Sequence, residues 1–146
     1  VYVPIGLGSG ICGAVAARAA LGLRTEIVGV VSSEAPAYFD SFAERRLVQR
    51  PALTALADGL ACSTPHPEAL DIIWREVARV VAVSDDEVAA AMKVLFDDTH
   101  NVAEGAGAAA LAAVMKDQDR LRGRRVAAVV TGGNVDREVF AAVLQR

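Results

Sequence analysis

Two glycine-rich loops stand where apolar runs end, and their residue types suit one chemistry, the holding of an anion on backbone N–H groups. The first, Gly6-Leu7-Gly8-Ser9-Gly10, follows Val1-Tyr2-Val3-Pro4-Ile5 and leads into Ile11-Cys12-Gly13-Ala14-Val15-Ala16-Ala17. The second, Thr131-Gly132-Gly133-Asn134, follows Val126-Ala127-Ala128-Val129-Val130 and precedes another apolar-periodic run. A strand–glycine–helix turn leaves several N–H groups free beside a helix N-terminus, and together these attract a phosphate. In a parallel sheet both loops lie at the carboxyl edge, where ligands bind. The pattern points to a phosphorylated cofactor, with the Thr131 hydroxyl facing one of its heteroatoms.

Gly8-Ser9-Gly10-Ile11-Cys12-Gly13 also spells G-x-G-x-x-G, and Glu34 stands past the next apolar run, near where a dinucleotide fold carries its ribose-binding carboxylate. An NAD-type dinucleotide-binding domain of an oxidoreductase is therefore one rival reading. Against it, Gly6 and Leu7 intervene between strand and fingerprint, and Thr131-Gly132-Gly133-Asn134 is left without a role. A non-catalytic domain that binds a phosphometabolite is the other rival. Asp97, Asp98, Thr99 and His100 carry metal-binding atom types, but no second cluster matches them. A polar helix end is expected there, and no metal site. Cys12 and Cys62 are expected as small buried residues, and His66, between Pro65 and Pro67, as part of a loop.

The elements that must position these loops alternate between strand and helix. Val1–Ile5, Glu26–Val31 and Arg125–Val130 read as buried strands, and Val80–Val83 as a short strand. Gly10–Leu21 reads as a helix closed by Gly22, and Ala35–Leu47 as another, followed by a short helix or turn over Pro51–Ala57. Pro67–Val77 starts with proline in its first turn. Ser84 and Glu87 have capping-box spacing and open a helix to about Phe96. Gly105–Met115 is an alanine-rich helix, Asp117–Arg125 a charged connection, and Asp136–Leu144 the last helix. Such alternation predicts an α/β fold, a parallel sheet with helices on its faces.

Bulk composition narrows the partners. The 146 residues are 53% apolar and only 5% aromatic, which suits alanine-lined helices packed closely on a Val/Ile sheet. A net charge of −3 with scattered basic residues gives a nucleic-acid or anionic-membrane partner no support. No secretory pattern or bilayer-length apolar run stands in the sequence, and a soluble, cytoplasmic protein is expected. The first residue is Val rather than Met, and it already belongs to a buried-type strand; an N-terminal portion is expected to be missing.

Four motifs occur in order: Pro4-Ile5-Gly6-Leu7-Gly8-Ser9-Gly10, Ala57-Asp58-Gly59, Glu104-Gly105-Ala106-Gly107 and Thr131-Gly132-Gly133-Asn134-Val135-Asp136. Together they resemble the C-terminal half of the serine/threonine dehydratases (threonine ammonia-lyases) of the pyridoxal-phosphate fold type II family, which includes serine racemase. The resemblance covers essentially the whole chain. It implies a three-layer αβα fold with a mainly parallel sheet, of the tryptophan synthase β type, present as a partial chain. It also implies pyridoxal 5'-phosphate as cofactor, an amino-acid substrate and a homo-oligomer. Gly6, Leu7, Gly8, Ser9 and Gly10 match the loop around the cofactor phosphate, with Leu7 and Ser9 departing from an all-glycine version. Thr131 matches the hydroxyl that bonds the pyridine nitrogen. A neutral hydroxyl does not hold that nitrogen protonated, which makes the ring a milder electron sink. Glu104 matches a glutamate near the cofactor, although Gly105 replaces the commoner proline, and Asp58-Gly59 matches a turn near the site. Val31 stands where the racemase branch has a metal-binding acid.

The resemblance further implies deamination of L-threonine to 2-oxobutanoate, or of L-serine to pyruvate, by β-elimination. The family's lysine, which forms the Schiff base and takes the α-proton, lies in a Ser-Phe-Lys-type motif of the N-terminal half. Here the lysines are Lys93 and Lys116, and neither stands at a strand end or beside a matching motif. No catalytic residue is therefore expected in this chain, which by itself should be inactive and needs the missing half as partner. The chain ends soon after the Thr131 motif, so no appended regulatory domain is expected.

Overall fold

The structure, a computed structural model, describes residues 1–145. Strands β1 (Tyr2–Pro4), β2 (Val28–Ser32) and β3 (Arg79–Val83) form a parallel sheet in that order. Tyr2 pairs with Val28, and Val28 in turn with Arg79. Parallel neighbours need long crossovers, and helices supply them. Side chains sort by the two-residue period of the strands. Val3, Ile5, Val31 and Val80 bury one face against Ile11 and Val15 of α1 (Ser9–Ala20), Tyr38 of α2 (Ala37–Glu44), and Leu70 and Ile73 of α3 (Pro67–Glu76). Tyr2, Val28, Val30, Val81 and Val83 bury the other against Val88 and Met92 of α4 (Asp85–Thr99), the alanines of α5 (Gly105–Lys116) and Val143 of α6 (Arg137–Leu144). The three-layer αβα expectation holds.

Local chemistry accounts for the element ends. Gly8, at φ 102°, caps α1, and Gly22, at φ 61°, follows its last turn. The capping box of α4 is complete. Ser84 Oγ accepts the Glu87 N–H (3.2 Å), and the Glu87 carboxylate accepts the Ser84 N–H (2.8 Å). His100, in the left-handed conformation, ends that helix as the expected polar terminus. At the amino edge of the sheet Tyr2 Oη donates to Asp117 Oδ2 (2.7 Å), and Arg79 donates to both groups. Burial opposes the charge on Asp117, but the bonds from Tyr2 and Arg79 outweigh it and hold the carboxyl below its ordinary range.

Two expectations require correction, and a third, the helix or turn over Pro51–Ala57, is narrowed. Arg125–Val130 is not a buried strand. It makes one parallel bridge, Ala128 to Tyr2, through Tyr2 N–H to Ala127 O (2.8 Å) and Val129 N–H to Tyr2 O (3.0 Å). It lies outside β1 at the sheet margin, where Ala128 alone of its apolar residues packs on the core, and Val126, Val129 and Val130 stay exposed. Pro51–Ala57 forms no helix; a single 3-10 turn follows instead at Asp58–Leu60. The helix predicted over Ala35–Leu47 stops at Glu44, where Arg45 turns to φ 53°.

The path through the sheet creates a switch point. From β1 to β3 the chain steps one way with α1, α2 and α3 on a single face. It then returns through α4 and α5 on the opposite face to lay Ala128 beside β1. Right-handed crossovers that reverse direction must change face. The chain therefore leaves β1 toward one layer and leaves residues 126–130 toward the other, which opens a crevice between their carboxyl ends.

Candidate functional site

All seven residues singled out from sequence, Gly6, Leu7, Gly8, Ser9, Gly10, Glu104 and Thr131, line one open cleft of about 330 Å³ in this crevice, with Gly59, Leu60 and Ala106. Crevices at a switch point are where α/β sheets bind ligands. Each predicted motif contributes to it, and the glycines explain how. A Cβ on Gly6 would lie 2.5 Å from the carbonyl oxygen of Gly59, and one on Gly59 would lie 2.8 Å from the Ala106 side chain. A Cβ on Gly105 would overlap the Leu56 carbonyl, and one on Gly107 would overlap that of Gly132. The Gly6 and Gly59 backbones thus touch, Gly59 meets the Ala106 side chain, and the closeness of α5 to Leu56 and to the Thr131 loop requires the absence of side chains at Gly105 and Gly107.

The Gly6–Gly10 loop meets α1 at Gly8, whose φ of 102° disfavours any residue with a Cβ. The first bond along α1 runs from Cys12 N–H to Gly8 O (3.1 Å), so the N–H groups of Ser9, Gly10 and Ile11 have no partner within the helix. No acidic residue occupies the first turn, and among the described residues no Lys or Arg lines the cleft. An anion here would be selected by backbone N–H groups and the positive end of the helix dipole. Leu7 is 74% exposed, so its departure from glycine leaves the backbone of the loop unobstructed.

On the opposite wall, Thr131 is exposed and makes one long contact, from Oγ1 to Ala106 O (3.5 Å), which leaves the hydroxyl available to a ligand. Glu104 caps α5 and ties the same loop: its N–H donates to Gly132 O (3.1 Å), and its Oε2 accepts the Asn134 N–H (3.0 Å). The glutamate is thus already a brace for the Thr131 loop. Asp58 closes its own turn by accepting the Gly59 N–H (2.8 Å).

Sequence reasoning missed Tyr38. It lies on α2 behind the glycine loop, and its hydroxyl donates to Leu7 O (2.8 Å) while accepting the His66 N–H (3.0 Å). An aromatic residue at an apolar helical position reads as core, and no local signal distinguishes this one. Lys93 and Lys116 stand away from the cleft, and Lys116 is held by Ala82 O (3.0 Å) and Glu87. Burial pushes the thiols of Cys12 and Cys62 up, which leaves neither an activated nucleophile. The dinucleotide fingerprint fares poorly. Its last glycine serves close helix–strand packing, yet a Cβ on Gly13 meets nothing within 4 Å. Among the described residues no helix is long and apolar enough to cross a membrane.

The family model described as pyridoxal-phosphate dependent enzyme matches residues 1–132. The L-threonine ammonia-lyase of Thermotoga maritima is 32% identical over 146 residues, which are 100% of this chain and 36% of that protein. That of Geobacter sulfurreducens is 34% identical, with the same coverage of 100% and 36%. Among solved structures, the threonine deaminase of T.th. superimposes with a TM-score of 0.86 at 29% identity, over 92% of this chain and 49% of that one. The chain therefore spans about a third of the length of these curated relatives. It belongs to the family of pyridoxal-phosphate dependent enzymes, in its fold type II architecture.

Proposed function

We propose that this chain forms the phosphate-binding side of the active site of an ammonia-lyase that deaminates L-threonine to 2-oxobutanoate, or L-serine to pyruvate. The observation that carries the reading is the convergence of Gly6–Gly10, Glu104 and Thr131 on one cleft at the sheet's switch point. These residues fit pyridoxal 5'-phosphate: a glycine cradle with free N–H groups suits a phosphate, and an uncharged hydroxyl suits a pyridine nitrogen. When bound, the cofactor supplies an electron sink for the charge that develops at the substrate's Cα.

The chain's own residues bind and orient. The N–H groups of Gly8, Ser9, Gly10 and Ile11 hold the phosphate. The Thr131 hydroxyl bonds the ring nitrogen without placing a negative charge beside it, which moderates the sink and favours loss of the β-hydroxyl over transamination. Glu104 keeps Thr131 in place through Gly132 and Asn134. Among the described residues no lysine lines the cleft, so the amine that takes the α-proton comes from the remainder of the polypeptide. That remainder supplies the second wall of the site, and the assembled enzyme is a cytoplasmic homo-oligomer.

The test is production of 2-oxo acid by the full-length protein reconstituted with pyridoxal phosphate, with L-threonine and L-serine supplied separately. Turnover of either, with none from residues 1–146 alone, supports the reading. A full-length protein that takes up the cofactor but releases no 2-oxo acid from either substrate refutes it.

A further inference from the structure

Tyr38 does not line the cleft, yet its hydroxyl is bonded to the backbone of the loop that does. It is 1% exposed and packs with Ile11 and Leu70, in the layer opposite α5. Its Oη donates to the Leu7 carbonyl at 2.8 Å and is itself fixed by the His66 N–H at 3.0 Å. A trans peptide points its C=O and N–H to opposite sides, and no described peptide is cis. With the Leu7 carbonyl drawn toward Tyr38, the Gly8 N–H of the same peptide faces away from it. That N–H has no backbone acceptor among the described residues.

The second constraint is steric. A Cβ on Gly8 would lie 3.0 Å from Tyr38 Oη and 2.6 Å from Ala69 Cβ. The space behind the loop is therefore filled, and the loop cannot sink away from the cleft. We propose that Tyr38 is a positioning residue, whose hydroxyl sets the Leu7–Gly8 peptide so that the Gly8 N–H is presented to the phosphate of the cofactor. The inference rests on the cleft being the cofactor site proposed above. Because no described Lys or Arg lines that cleft, a turned-away N–H has no charged side chain to compensate for it.

The experiment compares three probes on the full-length apoprotein: pyridoxal phosphate, pyridoxal, which lacks the phosphate, and inorganic phosphate. Tyr38→Phe removes one oxygen and keeps the ring. Pyridoxal phosphate and inorganic phosphate should each bind about 3- to 10-fold more weakly, the effect of one hydrogen bond. Pyridoxal should bind as before. An equal loss for pyridoxal and its phosphate, or no loss for either phosphate probe, overturns the inference. Should the variant not fold, the unsubstituted protein carrying 13Cζ-labelled tyrosine serves instead. The Tyr38 resonance should then move on saturation with inorganic phosphate and stay still with pyridoxal, and a resonance indifferent to phosphate overturns the inference. Unsubstituted protein that binds pyridoxal phosphate no better than pyridoxal refutes the reading of the cleft itself, and Tyr38's role falls with it.

Discussion

Gly107→Ala tests whether the close seating of α5 beneath the Thr131 loop is what builds the cleft, and Gly13→Ala is its internal control. Both glycines lie inside helices, where alanine is favoured over glycine by about 1 kcal/mol. At Gly13 a Cβ meets nothing within 4 Å, so Gly13→Ala should raise stability by about that amount. At Gly107 the Cβ falls onto the Gly132 carbonyl oxygen, 3.0 Å from the Gly132 nitrogen and 3.1 Å from its carbonyl carbon. All three are backbone atoms, so no rotamer change relieves the overlap. The loop must withdraw by about 1 Å to regain ordinary contact. Overpacking of this kind costs about 1–3 kcal/mol. After the propensity gain, the net loss is about 0–2 kcal/mol. Thr131 precedes Gly132 and moves with it, and misplacing a positioning group by about 1 Å costs about a hundredfold in rate. The assays are the melting temperature of the full-length apoprotein, cofactor titration, and 2-oxo acid release from L-threonine. Gly107→Ala should melt near or below the parent while losing far more turnover than stability. If it stabilises as much as Gly13→Ala, with cofactor affinity and turnover intact, the seating of α5 is not what builds the cleft.

Glu104 offers a second separation of bracing from chemistry. Glu104→Gln keeps an oxygen for the Asn134 N–H, whereas Glu104→Ala removes it. If bracing is its role, the amide should retain cofactor affinity within about threefold and the alanine should lose about tenfold, measured by titration. A glutamine variant as impaired as the alanine one would instead assign the charge a direct part. Asp117→Asn should cost about 1–3 kcal/mol at neutral pH, because it weakens a half-buried network with Tyr2 and Arg79. The folded state holds the Asp117 carboxyl below its unfolded value of about 3.9, so its contribution is complete above that pH and is lost as pH falls through the folded value. Denaturation curves of parent and variant should therefore differ at pH 7 and converge in strong acid. A gap that persists at low pH would attribute the loss to packing.

The fold was legible wherever a local rule acts alone. Ser84 and Glu87 marked the start of α4, Pro67 the start of α3 and Gly22 the end of α1, and the structure places each there. Val126–Val130 shows the opposite case. Its composition is that of a buried strand, but burial depends on what covers it, and among the described residues nothing covers its outer side chains. A run of valines records suitability for a sheet interior; it does not record how much of the sheet the chain carries. Tyr38 was illegible for a related reason. Its importance lies in a bond to Leu7, thirty-one positions away, and no helical periodicity encodes that partner.

The site was more legible than the strand beside it, and the reason is geometric. Glycine at Gly6, Gly59, Gly105 and Gly107 is demanded by neighbouring backbone or Cβ atoms, so each motif carries the imprint of the segment it touches. Four short motifs spaced along the chain are thus one contact seam written in pieces. The same seam separates the glycines that neighbouring protein atoms demand from those that they do not. Gly10 and Gly13 complete a familiar fingerprint in the sequence, yet both face open space. Gly6 and Gly107, which belong to no dinucleotide pattern, are the ones on which the cleft closes. A fingerprint is therefore better read from which backbone each glycine admits than from the spacing of its letters.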